Sequence, residues 1–258
     1  MQTKDRKILI IIFLIFYFLN ILNLKAEEFN ITAKEIIVDK ENEILRGTGS
    51  VEVTDYEGRI INADKITYEK QRKFLIAEGN VKINDFNGSI LSTEKATFDK
   101  INNIISTYKK SKLVTSEGYI LSTKNINYNT TTKLLSSSSN STIKDNDGNI
   151  VQTESFQYNL IDNIFSSVGN IIVKDIKKNK YFFKEFYIDT KNKKMVGSDV
   201  DVVLDQESFG INRESDPRFV ANDIFISKEN SILSKAVFTT CKKRGEKCPP
   251  WTLKAKKI

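Results

Sequence analysis

The sequence contains no histidine. That absence excludes a Ser-His-Asp triad, a histidine zinc site and any imidazole general base. Chemistry resting on Asp and Glu alone stays open. Proline is nearly absent: Pro217, Pro249 and Pro250 all lie beyond residue 215. Cysteine is limited to Cys241 and Cys248, and two thiolates without histidine make a poor zinc site. Helical periodicity is missing throughout, and no cofactor motif appears. Charge of one sign does not dominate, since 40 Lys and Arg face 33 Asp and Glu for a net +7. The first 26 residues contribute Lys4, Arg6, Lys7 and Lys25 against Asp5, a net +3 that leaves +4 on the remainder. Basic and acidic residues are interspersed, with no aromatic-basic platform, so no nucleic-acid partner is indicated. Partners bearing phosphate or carboxylate remain compatible. At 258 residues and 40% hydrophobic, the chain is long enough to bury a core.

What is present begins with a targeting segment. Met1 to Lys7 is short and basic, and residues 8–24 (ILIIIFLIFYFLNILNL) are almost wholly apolar. Leu24-Lys25-Ala26 then precedes Glu27-Glu28. This is the layout of a secretory signal peptide, residues 1–26, with Ala26 the last residue removed. The apolar run is also at the lower limit for spanning a bilayer, so an uncleaved anchor is the alternative. Either way the remainder is exported.

A thirty-residue repeat organises that remainder. AKEIIVDK (33–40), ADKITYEK (63–70), TEKATFDK (93–100), TKNINYNT (123–130), TESFQYNL (153–160) and FKEFYIDT (183–190) share one frame. Their apolar pairs are Ile36/Val38, Ile66/Tyr68, Ala96/Phe98, Ile126/Tyr128, Phe156/Tyr158 and Phe186/Ile188. Polar residues such as Thr67, Thr97, Asn127 and Gln157 alternate with them, which is the period-two signature of a strand with one buried face. Gly58, Gly88, Gly118 and Gly148 recur as turns, where glycine accepts positive φ. Gly49, Gly79 and Gly169 fall midway through the second apolar run, where a bulge or corner would sit. Each unit therefore reads as strand, polar turn, bent strand, glycine turn.

About six units from residue 34 to 203 predict an elongated all-β architecture in which neighbours bury each other's apolar faces. Two turns per unit favour antiparallel hairpins folded at the bends, and a parallel β-helix is the competing layout. Residues 205–220 read as an inserted loop, and residues 221–227 restore the strand motif as a displaced unit. The inward columns can form a dry core or line an apolar groove, because both need the same face. If they line a groove, Phe156→Asp should block it without unfolding the chain. A polysaccharide-cleaving β-helix is a third possibility, but the recurring acids Asp55, Asp85 and Asp147 sit at turn and outward positions.

The C-terminal segment carries a more specific signal. Phe238-Thr239-Thr240-Cys241, a basic stretch over 242–247, and Cys248-Pro249-Pro250-Trp251-Thr252-Leu253-Lys254-Ala255 resemble the segment that joins the periplasmic domain to the barrel in LptD proteins. The repeated A-x-x-I-x-Y and G-x-V-x-I units over about residues 30–235 resemble the OstA-like β-jellyroll of LptA, LptC and the LptD N-terminal domain. The resemblance implies an open antiparallel jellyroll over 27–235, then a cysteine-containing segment over 236–258. It implies no catalysis, no cofactor and no metal. It implies lipopolysaccharide transport, with lipid A acyl chains against the inward columns named above. Its partners would be an LptA-like periplasmic jellyroll and, where a barrel is present, an LptE-like lipoprotein, in the periplasm beside the outer membrane.

The resemblance also implies that Cys241 and Cys248 enter disulfides. Export makes oxidation expected, and a short loop between the two is geometrically feasible. Pairing outside this chain is the alternative. The sequence departs from LptD in that no series of barrel strands follows Leu253, which leaves a fragment, a truncated product or a stand-alone jellyroll. The basic cluster Lys242, Lys243, Arg244 and Lys247 reads as a solvated loop or as a contact for lipid A phosphates.

Overall fold

The computed structural model describes residues 29–85, 87–207, 215–243, 245 and 249–258. The N-terminal targeting segment, Arg244, Lys247 and Cys248 lie outside them. Nineteen strands succeed one another: β1 (Phe29–Thr32), β2 (Glu35–Asp39), β3 (Ile44–Asp55), β4 (Ile60–Glu69), β5 (Phe74–Asn84), β6 (Ile90–Asp99), β7 (Ile104–Val114), β8 (Ile120–Thr123), β9 (Ile126–Asn129), β10 (Leu134–Ser137), β11 (Ser141–Lys144), β12 (Ile150–Thr153), β13 (Phe156–Asn159), β14 (Ile164–Lys174), β15 (Lys180–Asp189), β16 (Lys194–Val203), β17 (Arg218–Ile226), β18 (Ser231–Thr239) and β19 (Leu253–Lys257).

All their pairings are antiparallel, which excludes the parallel β-helix. The register carries the repeat directly. Leu45 faces Tyr68, Leu75 faces Phe98, Ile105 faces Tyr128, Leu135 faces Tyr158 and Phe165 faces Ile188.

Each long strand is bent in the middle. The register of β3 with β4 shifts between Thr48 and Val51, and that of β5 with β6 between Glu78 and Val81. Gly49 and Gly79 lie in these bulges at φ +77, a conformation that a Cβ disfavours. The bends form a crease that divides the sheet into two limbs. The first limb runs out to the polar turns (40–43, 70–73, 100–103), the second to the glycine turns (56–59, 87–89). The limbs face each other across an apolar interior. Phe29 of the second limb stacks edge-on against Tyr68 and Phe98 of the first, with centroids 5.0 and 5.7 Å apart. Phe98 and Phe186 are fully buried, each contributing about 1.5–3 kcal/mol relative to exposure.

Residues 218–220 depart from the loop expected over 205–220: β17 already begins at Arg218 and pairs with β16. The expected boundary at 235/236 falls inside β18, and β19 continues the sheet beyond it.

Candidate functional site

The interior between the limbs holds two kinds of position. The first lies beside the crease, where Ile66, Ala96, Ile126, Phe156 and Phe186 are at most 3% exposed. Phe156 stacks on Phe165 and Phe165 on Phe186, at 5.3 and 5.8 Å. This is dry core. An aspartate at Phe156 would place a carboxylate among stacked rings, so Phe156→Asp is expected to unfold the chain and cannot serve as a clean block of a groove. The sequence marks the face of Phe156 but not its depth, so the expectation that Phe156→Asp would leave the chain folded gives way to this one.

The second kind lies nearer the mouth, where the limbs end in turns. Here burial changes along the chain. Val53, Ile61, Tyr68, Leu75, Ile83, Leu91, Phe98 and Ile105 are all buried. From Leu113 onward burial is mixed: Leu113, Tyr128, Ile143, Val151, Tyr158, Val173, Tyr181 and Ile188 are only partly buried against the core, while Leu121, Leu135, Phe165 and Val202 between them stay buried. Apart from Leu45 the interior is thus closed in its N-terminal half, and in its C-terminal half it presents a half-open apolar strip interleaved with buried residues. Ile36 and Val38 share the face of Ile66 and Tyr68 through the β2–β3–β4 register. They are nevertheless exposed, because β2 pairs only with β3 and no opposing limb covers it.

The closed half is held by contacts that the repeat does not announce. Arg59 and Asp55, both buried, form an ion pair at 2.6 Å. The Lys100 ammonium sits 3.4 Å from the centre of the Tyr56 ring, joining turns of opposite limbs. Lys133 approaches Glu57 at 3.9 Å across the same seam. Burial opposes ionisation of Glu57, but the hydrogen bond from Tyr56 and the charges of Arg59 and Lys133 hold it below the usual carboxylate range.

At the middle of the crease the strands are interrupted, between β8 and β9, β10 and β11, and β12 and β13. Buried hydroxyls bridge these gaps. Ser141 donates to Thr123 at 3.0 Å, Thr123 and Ser137 lie 2.9 Å apart, and Thr153 contacts Ser167. The Ile126 amide donates to Thr107 Oγ1 at 2.9 Å. On the outer face beside them is a cleft of about 450 Å³, lined by Asn127, Ser136, Gln157, Ser166 and Tyr187, with Phe156 at its base. Among the described residues no group of three His, Cys, Asp or Glu side chains is placed to hold a metal.

The family model described as "OstA-like protein" matches residues 58–214, more than half of the chain. The chain belongs to the OstA-like family. No curated protein matches it. Among solved structures it is similar to LptH of Pseudomonas aeruginosa, titled the LptA homologous periplasmic component of the conserved lipopolysaccharide transport device. Identity there is 14%, over 42% of this chain and 79% of that one, with a TM-score of 0.38.

The OstA-like match stops short of the cysteine segment. Cys241 lies just past β18, where its carbonyl accepts a 2.6 Å hydrogen bond from Arg218 Nη1. Thr239 Oγ1 donates to the Trp251 carbonyl at 2.9 Å, tying β18 to the segment that leads into β19. Cys248 is outside the described residues, so its pairing remains a proposal.

Proposed function

We propose that this OstA-like chain is a non-enzymatic periplasmic component of lipopolysaccharide transport, holding lipid A acyl chains against its inward face. The half-open strip formed by Tyr128, Ile143, Tyr158, Val173 and Ile188 carries this reading. Acyl chains in water cost about 0.8 kcal/mol per exposed CH₂. A continuous apolar surface, shielded on one side and open on the other, removes part of that cost without enclosing the chain. Of the inward columns, the mouth-side members Tyr128, Tyr158 and Ile188 are the contacts expected to matter. Ile66, Ala96, Ile126, Phe156 and Phe186 shape the floor.

The exposed inward face of β2 fits end-to-end contact with a partner jellyroll of the LptA kind. The segment around Cys241 and Trp251 supports the finer reading as the periplasmic domain of an LptD-type protein at the outer membrane, with an LptE-like partner where a barrel follows and a disulfide involving Cys241 and Cys248. A stand-alone LptA- or LptC-like carrier is the other form of the same reading. The packed crease favours a second reading, a structural β-solenoid with a dry core.

Photo-crosslinking in the cell separates them. A probe at Tyr158 is expected to capture lipopolysaccharide, and one at outward Gln157 to capture none. A folded, exported chain with no adduct at Tyr158 would leave the dry-core solenoid.

A further inference from the structure

The turns at the end of the second limb share a construction, with Gly58, Gly88, Gly148 or Lys178 at positive φ. Asp55, Asp85, Asp145 and Asp175 each accept a hydrogen bond from the backbone amide four residues on. In two of these turns that later residue is asparagine. Asn149 and Asn179 return a side-chain hydrogen bond to the same carboxylate, at 2.7 and 2.8 Å. In the first turn the residue is Arg59. Its Nε does the work of those asparagines, at 2.6 Å from Asp55. Clamping the turn therefore needs one donor, and Arg59 brings five with a permanent charge. Nη1 goes to Glu57 at 2.8 Å. Nη2 has no hydrogen-bond partner among the described residues, although the side chain is only 4% exposed. A buried donor of that kind calls for an explanation beyond the turn.

Its surroundings supply one. The guanidinium lies 5.2 Å from the centre of the Phe98 ring, and the Lys100 ammonium 5.4 Å from the same centre. Lys133, about one-third exposed, reaches in from the neighbouring turn. Tyr128, the first half-buried member of its column, feels the Arg59 charge. Arg59 thus borders the point where the closed interior gives way to the open strip. An apolar strip ending against a cluster of cations is complementary to a molecule with alkyl chains and an anionic head.

We infer that Arg59, Lys100 and Lys133 form a headgroup site for an oxyanion, phosphate or carboxylate, borne by the amphiphile whose chains occupy the open strip. This rests on the reading of the strip as an acyl-chain site. Lys133 meets the incoming anion at the rim. Arg59 Nη2 donates to one of its oxygens from below, as a charge-assisted hydrogen bond.

The test uses the full chain and three probes below micelle-forming concentration: dodecyl phosphate, dodecyl maltoside and inorganic phosphate, titrated calorimetrically. Dodecyl phosphate is expected to bind about tenfold more tightly than dodecyl maltoside at low salt, with the preference shrinking as salt rises. Lys133→Gln, at a partly exposed rim position, should bring the two detergents to equal affinity. Arg59→Gln, which keeps an amide for Asp55 as Asn149 and Asn179 do, should act likewise. Equal affinities in the wild-type chain would overturn the headgroup site and leave the acyl-chain reading standing. Binding of neither detergent would overturn both. Inorganic phosphate binding as tightly as dodecyl phosphate would reassign the cluster to free anions and overturn the headgroup assignment.

Discussion

The two halves of the interior are built from the same repeat and differ in closure. In the N-terminal half the mouth-side residues are buried, and aromatic and ionic contacts join the opposing turns. In the C-terminal half several equivalent positions (Tyr128, Ile143, Tyr158, Val173, Ile188) are only partly buried, among neighbours such as Leu121 and Leu135 that stay buried. The repeat columns do not cause this, since Tyr68 is buried while Tyr128 and Tyr158, in the same column, are only partly so. The difference comes from residues added to the repeat: Phe29 from β1, and Arg59, Tyr56, Lys100 and Lys133 at the seam. A periodic sheet supplies an apolar face, and non-periodic residues decide where it is sealed.

The largest test of that contrast removes the seal. Phe29→Ala deletes a ring that touches Tyr68 and Phe98 and is 5% exposed. It should cost about 3–4 kcal/mol. Ile188→Ala, on the open strip, should cost about 1–2 kcal/mol, because half-buried methyl groups lose less on removal. Urea denaturation of both variants gives the ratio. Equal losses would mean that the C-terminal half is as tightly closed in solution as the N-terminal half.

A smaller test compares two glycines of the closed half at nearly equal φ, Gly79 at +77 and Gly58 at +80. A Cβ on Gly79 would come within 2.9 Å of the Asp64 Cβ, whose carboxylate holds Asn80 at 2.8 Å. A Cβ on Gly58 meets nothing within 4 Å. Gly58→Ala should therefore cost about 1 kcal/mol of backbone strain alone. Gly79→Ala should cost about 2 kcal/mol, the excess measuring how firmly the crease is packed. A thermal-melt comparison of the two variants checks it, and identical shifts would show a crease that yields freely.

The sequence made the faces, the bends and the antiparallel option legible because each leaves a period. Alternation assigned Ile66, Phe98, Phe156 and Phe186 to one face, and the glycines marked the corners. Depth left no period. Phe156 and Tyr158 read alike, yet one is core and the other mouth. Ile36 and Val38 share the face of Ile66 and Tyr68 by register, but alternation cannot show that β2 is an edge that leaves them exposed. Ser111 and Ser141 fall thirty residues apart, at the repeat position that holds Val51, Val81 and Ile171 in other units. Their hydroxyls belong to buried networks at the crease, where Ser111 donates to Thr107 at 2.7 Å. The seam was the least legible part. Tyr56 and Lys100 are brought together by the folding of one limb over the other, and nothing local in the chain records that meeting. One signal was available: arginine at a position occupied by serine, tyrosine and asparagine in the later turns (Ser89, Tyr119, Asn149, Asn179).

The smallest expected effect probes how dry the open half is. Burial, and then the charge and hydrogen bond of Asp175, push the Tyr181 phenol up to about 12 from its ordinary value of 10.0. The folded chain therefore favours the protonated phenol more than the unfolded chain does. Its contribution is complete below pH 10 and is lost as pH rises through 10 toward 12. Between pH 9 and pH 11.5 this shift would correspond to about 2 kcal/mol for a fully shielded group. Tyr181 is only partly buried, so solvent screening should reduce the loss to about 1 kcal/mol. Urea denaturation at pH 9 and pH 11.5 measures the loss once the same difference in Tyr181→Phe is subtracted, which removes the background from Lys and the other tyrosines. A loss near the fully shielded value would mean that the limbs close over Tyr181 in solution, and the strip would then be a sealed core. A loss near 1 kcal/mol keeps the mouth wet on one side, as a surface must be if an alkyl chain is to enter from the side and displace water.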